Sequence, residues 1–329
     1  MSDDRWTEYW ARGALHSLPY AFEGNYARGV AAFWRERFVR LGERARVLDV
    51  GTGNGAVALL AVGFAREHSL DFEVHGVDLA DIDPGAAVEA ETSQDLSRIR
   101  FHARTAIEAL PFEAGRFDLI TGQYAFEYAD IEPAARELAR VAAPDGRLAL
   151  GLHHDQSMVM QNARIVCEQG RLIFERLKFF PLLGALLKRV SAAQTPEDRR
   201  RLATDPEAER IRHAFNQAAE QIYRAAEQSP NPRFLDALLA ESRRCMSAVG
   251  KHSLEELERR VAFLEADLRS KWARMDDLAA CACDEAGRER ILGALQQAGF
   301  QVLDSGMLHD ETSEGRYQIG WWLDCQLGA

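Results

Sequence analysis

The stretch Arg46-Val47-Leu48-Asp49-Val50-Gly51-Thr52-Gly53-Asn54-Gly55-Ala56-Val57-Ala58 decides the fold. Its apolar start reads as a buried strand, the glycines as a tight turn and the run from Ala56 as the opening of a helix. Glycine lets the backbone bend sharply and come close to a ligand, and the first amides of the following helix direct partial positive charge at it. The spacing therefore points to a nucleotide-type site. Gly51, Gly53 and Ala56 also satisfy the dinucleotide pattern GxGxxG/A, so the glycines alone leave two ligand classes open.

Two acids separate those classes. Asp49 stands two residues before the first glycine, where a carboxylate reaches a cationic amino group, and a dinucleotide loop has no need of it. Asp78 ends the apolar stretch Phe72-Glu73-Val74-His75-Gly76-Val77, close to the spacing at which a strand-end carboxylate accepts both hydroxyls of a ribose. The loop is followed by Val77-Asp78-Leu79, Leu110-Pro111-Phe112, Phe117-Asp118-Leu119-Ile120 and Pro144-Asp145-Gly146-Arg147-Leu148-Ala149-Leu150. Together these motifs resemble the class I S-adenosylmethionine-dependent methyltransferases of the small-molecule type, over Arg46 to His153 with a matching tail at the C-terminus.

The resemblance implies S-adenosyl-L-methionine as cofactor, held by Asp49, Gly51, Gly53, Gly55, Asp78, Leu79, Ala106, Ile107 and Gln123. It is imperfect at the adenine. Family members often carry an acid at the position of Ala106 to accept from the adenine amino group, which alanine cannot do. The adenine then rests on the main chain of Ala106 and Ile107, or Glu108 reaches in from a shifted register.

The order of elements agrees with this reading. Strands are expected at 46–50, 72–77, 99–102, 117–121 and 147–152, with helices over 55–67, from Pro84 and over 133–141, and a turn at Pro144-Asp145-Gly146. A helix over 288–298 closed by Gly299, then strands at 300–303 and 317–323, supply the final hairpin of the family's sheet. The expected fold is α/β: a Rossmann-like, seven-stranded, mostly parallel sheet with helices on both faces, plus a large helical cap inserted after the fifth strand. The domains are then an N-terminal aromatic helical lid (1–44), a donor-binding core (45–153), the helical insertion (154–283) and a C-terminal helix and hairpin (284–329).

The insertion is far longer than a connection requires. Its segment Leu172 to Leu187 is the most apolar of the chain, and either lines an acceptor pocket or packs in the insertion's own core. Leu254, Leu257, Val261, Leu264, Leu268 and Met275 fall on heptad-like positions of a long helix after Ser253, whose cap pairs with Glu256. That stripe either packs within the chain or builds a homodimer.

The N-terminal segment is aromatic, with Trp6, Tyr9, Trp10, Tyr20, Phe22, Tyr26 and Trp34. Aromatic faces attract cations such as a sulfonium, and Arg28 or Arg35 from the same segment could pair with the donor's carboxylate. His153 and His154 follow the fifth strand on the ligand edge of the sheet. Either could take a proton from an acceptor hydroxyl, the alternative being a structural hydrogen-bonding role. No (D/N)PP(Y/F) tetrapeptide follows the fourth strand, where Thr121-Gly122-Gln123-Tyr124 stands, and this disfavours amide-like or nucleobase nitrogens as acceptors.

Composition sets the outer limits. At 329 residues and 47% hydrophobic, the chain can bury a full α/β core and a second unit. A formal net charge of -11 repels phosphate backbones and disfavours nucleic acid as a partner. Five cysteines without disulfide-like spacing suit a reducing, cytoplasmic setting, and Cys281-Ala-Cys283 offers too few ligands for a metal. No apolar run reaches the length of a membrane span. Two functions follow: an enzyme (EC 2.1.1.-) methylating a small or medium-sized, partly apolar acceptor such as a secondary metabolite or modified peptide, or a non-catalytic donor-binding protein whose cap serves assembly.

Overall fold

The structure is a computed structural model that describes residues 4–18, 22–88, 95–312 and 315–328. Tyr20 lies outside these residues. The chain forms two compact units, Met1–Gln161 with Leu278–Ala329, and Asn162–Asp277.

The first unit is built on α1 (Asp4–Ala11), α2 (Arg28–Phe38), β1 (Arg46–Val50), α3 (Ala56–Glu67), β2 (Glu73–Val77), α4 (Pro84–Ala87), β3 (Ile99–His102), β4 (Phe117–Gln123), α5 (Ile131–Val141) and β5 (Ala142–Leu152). The helix α6 (Met158–Gly170) leads out of it. Its seven-stranded sheet has the order β3-β2-β1-β4-β5-β7-β6, where β6 and β7 are Phe300–Thr312 and Gly315–Leu327. The five strands from β3 to β5 run parallel, and β7 pairs antiparallel with both β5 and β6.

Alternation along the strands feeds two apolar cores. Leu48, Val50, Ile120, Leu148 and Leu150 point to one face, where Ala134, Leu138 and Val141 of α5 meet them with Ile291 and Leu295. Val47, Val74, Leu119 and Ala149 point to the other, against Val30, Trp34 and Phe38 of α2 and Val57, Ala61 and Val62 of α3. The sheet is thus covered on both sides, as parallel sheets are.

Two sequence expectations shift in detail. The turn expected at Pro144-Asp145-Gly146 lies inside β5 as an irregularity: Phe117 pairs with Ala142, but Leu119 pairs with Arg147, and Asp145 takes a left-handed φ of 59°. The closing hairpin is much longer than 300–303 and 317–323. Its polar outer half stays in register down to Thr312 opposite Gly315, across shifts near Val302 and Leu308.

The second unit is helical. It holds the end of α6, a π-helical turn at Arg171–Arg176, α7 (Phe179–Ala192), α8 (Pro196–Thr204), α9 (Pro206–Gln228), α10 (Arg233–Ser247) and most of α11 (Leu254–Cys281). After α11 the chain re-enters the first unit through α12 (Glu285–Gln297). The helical unit is narrower than 154–283 because the flanking segments are strapped to the first unit. His154 bridges Cys283, the Cys283 N–H donates to the His153 carbonyl at 2.9 Å, and the Asp155 N–H donates to the Cys283 carbonyl at 3.1 Å.

Within the helical unit the apolar segment is spent on its own core. Ile173, Phe174, Phe179, Phe180, Leu183 and Leu187 are buried there with Leu257, Val261, Leu264 and Leu268 of α11. The stripe on α11 therefore packs inside the chain, and these four side chains are not exposed to form an intermolecular seam. The start of α11 carries the expected cap: the Glu256 N–H donates to Ser253 Oγ at 3.3 Å, and the Ser253 N–H donates to Glu256 Oε2 at 2.9 Å.

Candidate active site

The strand ends of the first unit converge on one cavity of about 140 Å³. The loop after β1 forms its floor. Gly53 sits at φ +54°, and a Cβ there would meet the Trp10 ring at 2.5 Å, so no side chain is accommodated without displacing the indole. Gly55, at φ +89°, begins α3 in a left-handed conformation. The Thr52 N–H donates to the Val77 carbonyl at 2.9 Å and ties the loop to β2.

Both sequence-predicted acids are buried here. Asp49, only 2% exposed, accepts from Thr52 Oγ1 at 2.6 Å and Thr121 Oγ1 at 2.8 Å. Burial pushes its carboxyl up to about 7, against the pull of the two hydroxyls and with added repulsion from Asp78. Asp78 accepts from the Gly53 N–H and the Ala80 N–H, each at 2.8 Å, and burial pushes it up to about 6. Among the described residues, neither carboxylate has a cationic partner. The ionisable side chains lining the cavity, among the described residues, are Asp49, Asp78, Glu108, His16, Tyr26, Tyr124 and Tyr128, with no lysine or arginine. A buried carboxylate is costly unless something cationic or hydrogen-donating meets it, so the cavity is electrostatically suited to a ligand with positive charge and hydroxyls.

The cavity gathers Asp49, Gly51, Asp78, Leu79, Ala106, Ile107 and Gln123 from the expected set. Gly53 and Gly55 do not line it and act through the loop's shape. Gln123 Oε1 accepts from Trp34 Nε1 at 3.1 Å, while its Nε2 is buried with no hydrogen-bond partner among the described residues. Glu108 also lines the cavity, and its Oε1 accepts from the Asp130 N–H at 2.7 Å.

His153 and His154 are not among the lining residues. His153 is 1% exposed. Glu127 Oε1 accepts from its Nδ1 and from its backbone N–H, both at 2.8 Å, and its ring stacks at 4.1 Å on Tyr124, which does line the cavity. His154 Nδ1 accepts from the Gln156 N–H at 2.9 Å, and its ring lies against Trp321 at 4.5 Å. The sequence placed both on the correct sheet edge. It did not reveal that Tyr124, at a left-handed φ of 58° and donating to the Ile319 carbonyl at 3.0 Å, occupies the cavity wall beside His153.

The N-terminal segment supplies the opposite wall. Trp6 and Trp10 stack at 5.8 Å, and Trp6 meets Tyr128 edge-on at 6.0 Å; all three line the cavity with Leu15, His16, Ser17 and Tyr26. Arg28 and Arg35 are not there. Arg28 pairs with Asp310 at 2.5 Å and Arg35 with Glu67 at 2.5 Å, both partners coming from far along the chain. His16 was not singled out by the sequence, where an isolated histidine between Leu15 and Ser17 carries no local signal.

The seven-stranded sheet and the glycine loop after its first strand together define a class I S-adenosylmethionine-dependent methyltransferase fold. Residues 47–146 match the family described as a methyltransferase domain, and the chain carries a class I S-adenosylmethionine-dependent methyltransferase domain with S-adenosylmethionine as its cofactor. It is 40% identical over 122 residues to a demethylmenaquinone methyltransferase of Thermus thermophilus, covering 36% of this chain and 52% of that protein. It is 36% identical over 110 residues to the uncharacterized methyltransferase YcgJ of Bacillus subtilis, covering 33% and 41%. A ubiquinone/menaquinone biosynthesis C-methyltransferase of Geotalea uraniireducens is 27% identical over 170 residues, covering 50% and 67%. The chain thus spans about half the length of the first two relatives. Among the described residues no helix is long and apolar enough to cross a membrane.

Proposed function

We propose that this protein transfers a methyl group from S-adenosylmethionine to a small or medium-sized, partly apolar acceptor. One observation carries the reading: a single cavity whose charged side chains are all acids while most of its wall is aromatic or aliphatic. When bound, the cofactor supplies a methyl group on a positively charged sulfur, ready for in-line displacement. Asp49 receives the ammonium, Asp78 the ribose hydroxyls, and the main chain of Ala106 and Ile107 the adenine, with Leu79 beside it. Gln123 offers its unpartnered amide N–H groups. The faces of Trp6 and Trp10 give the cation an aromatic surround.

The acceptor lies against Tyr124 and Tyr128, walls that suit a planar ring. Two relatives are named for demethylmenaquinone and for ubiquinone/menaquinone biosynthesis, and a ring-bearing acceptor of that general kind fits these walls. The imidazoles of His153 and His154 do not line the cavity, so alignment and exclusion of water carry most of the acceleration. His153, fixed by Glu127, acts by holding Tyr124 in place.

Incubation of the protein with methyl-labelled cofactor and a cell extract tests this reading. Label is expected in a low-mass, organic-soluble product. Binding of the cofactor with no label transferred to any fraction would instead mark a non-catalytic donor-binding protein.

A further inference from the structure

An S-adenosylmethionine molecule brings a carboxylate as well as its positive charges, and among the described residues the cavity lining offers that carboxylate no cation. Arg28 and Arg35, the arginines that the sequence offered for this carboxylate, are engaged elsewhere, with Asp310 and Glu67. A guanidinium here would also repel the neighbouring sulfonium. The anionic end of the amino-acid tail must therefore be met by neutral donors.

His16 has the required form. It is 3% exposed and sits in the cavity wall. The Leu18 N–H donates to its Nδ1 at 3.2 Å, so that nitrogen is the acceptor and the neutral ring carries its proton on Nε2. Nε2 is buried and makes no hydrogen bond, although the Gly24 carbonyl faces the ring. The residue is fixed at both ends. Its ring lies parallel to Tyr26 at 4.6 Å, and its carbonyl accepts from Tyr9 Oη at 2.8 Å. Burial pulls the imidazole down to about 4, which keeps it neutral at ordinary pH. His16, Tyr26 and Asp49 line the same cavity.

We propose that the Nε2–H of His16 holds the carboxylate of the methyl donor, a neutral hydrogen bond in the place of an arginine pair. The assignment rests on the reading of this cavity as the donor site. It makes His16 a positioning residue: the tail is fixed between Asp49 and His16, and this sets where the methyl group stands.

Calorimetric titration with S-adenosylhomocysteine and with its decarboxylated analogue, which keeps the ammonium, tests the assignment. The intact protein is expected to prefer S-adenosylhomocysteine by about tenfold or more, the usual worth of a hydrogen bond to a charged group. His16→Phe, which keeps the stacking on Tyr26, should reduce that ratio to near one by weakening S-adenosylhomocysteine alone, and His16→Gln should restore part of it. In imidazole ¹⁵N spectra of the unsubstituted protein, S-adenosylhomocysteine but not the analogue should shift the Nε2–H resonance of His16. A ratio indifferent to residue 16, or an Nε2–H resonance that responds to both ligands alike, overturns the assignment alone. Failure of both ligands to bind the unsubstituted protein overturns the donor-site reading and the assignment with it.

Discussion

The two units spend their buried polar groups in opposite ways. The first buries Asp49, Asp78, His16, Gln123, Glu127 and His153 in or beside one cavity, and leaves His16 Nε2, Gln123 Nε2, Glu127 Oε2 and His153 Nε2 without hydrogen-bond partners. In the helical unit the core is hydrocarbon, its buried polar residues among those described are Gln169, Ser242, Ser270 and Arg274, and its unpaired buried atoms, Gln169 Oε1, Ser191 Oγ, Ser242 Oγ and Trp272 Nε1, belong to uncharged side chains. Unpaired buried polar atoms cost stability wherever they occur; what sets the first unit apart is that buried acids and unpaired donors gather at one cavity. The contrast teaches where this chain has been shaped by a ligand and where by packing alone.

The largest expected effect breaks the packing side of the contrast. Leu257 is fully buried in the helical core, so Leu257→Glu places an unpaired charge in hydrocarbon and should cost about 4 kcal/mol or more. Chemical denaturation would show that loss, and light scattering should find the same mass before and after. A folded variant of half the original mass would mean that α11 joins two chains.

On the ligand side, Gly53→Val should weaken S-adenosylhomocysteine binding by about 100-fold or more, because the side chain needs the space of the Trp10 ring at a backbone angle that valine avoids. Asp78→Ala should cost about 1.5 to 3 kcal/mol of binding, the loss of hydrogen bonds to a charged acceptor. Unchanged affinity in both variants, measured calorimetrically, would detach these residues from the donor.

The smallest effect is a pH dependence. Asp49 and Asp78 titrate near 7 and 6 in the fold and near 3.8 when unfolded. Folded values above the unfolded ones mean that their contribution to stability is complete below about 3.8 and is lost as the pH rises through 6 to 7. A bound ammonium reverses this preference by favouring the ionised acids. The rise in melting temperature caused by S-adenosylhomocysteine should therefore be a few degrees larger at pH 8 than at pH 5.5. An equal rise at both would place the ammonium away from Asp49.

The sequence carried the sheet and the acid half of the site because their signals are local. Glycine spacing, strand-end acids and apolar runs are legible within a few residues, and Asp49 and Asp78 stand where they were expected. The donor half was not legible. Arg28 looked available because Asp310, its partner, lies 282 residues away, and His16 looked ordinary because its importance comes from Tyr26, Leu18 and burial. The length of the β6–β7 hairpin escaped for a related reason, since its outer half is held by cross-strand register rather than by an apolar pattern.

Titration of the intact protein with S-adenosylhomocysteine and, separately, with NAD most directly probes whether these buried acids form a methyl-donor site. One S-adenosylhomocysteine per chain should bind, and NAD should not compete, since NAD brings no ammonium for Asp49. Binding of NAD in preference to S-adenosylhomocysteine would contradict the assignment of the cavity.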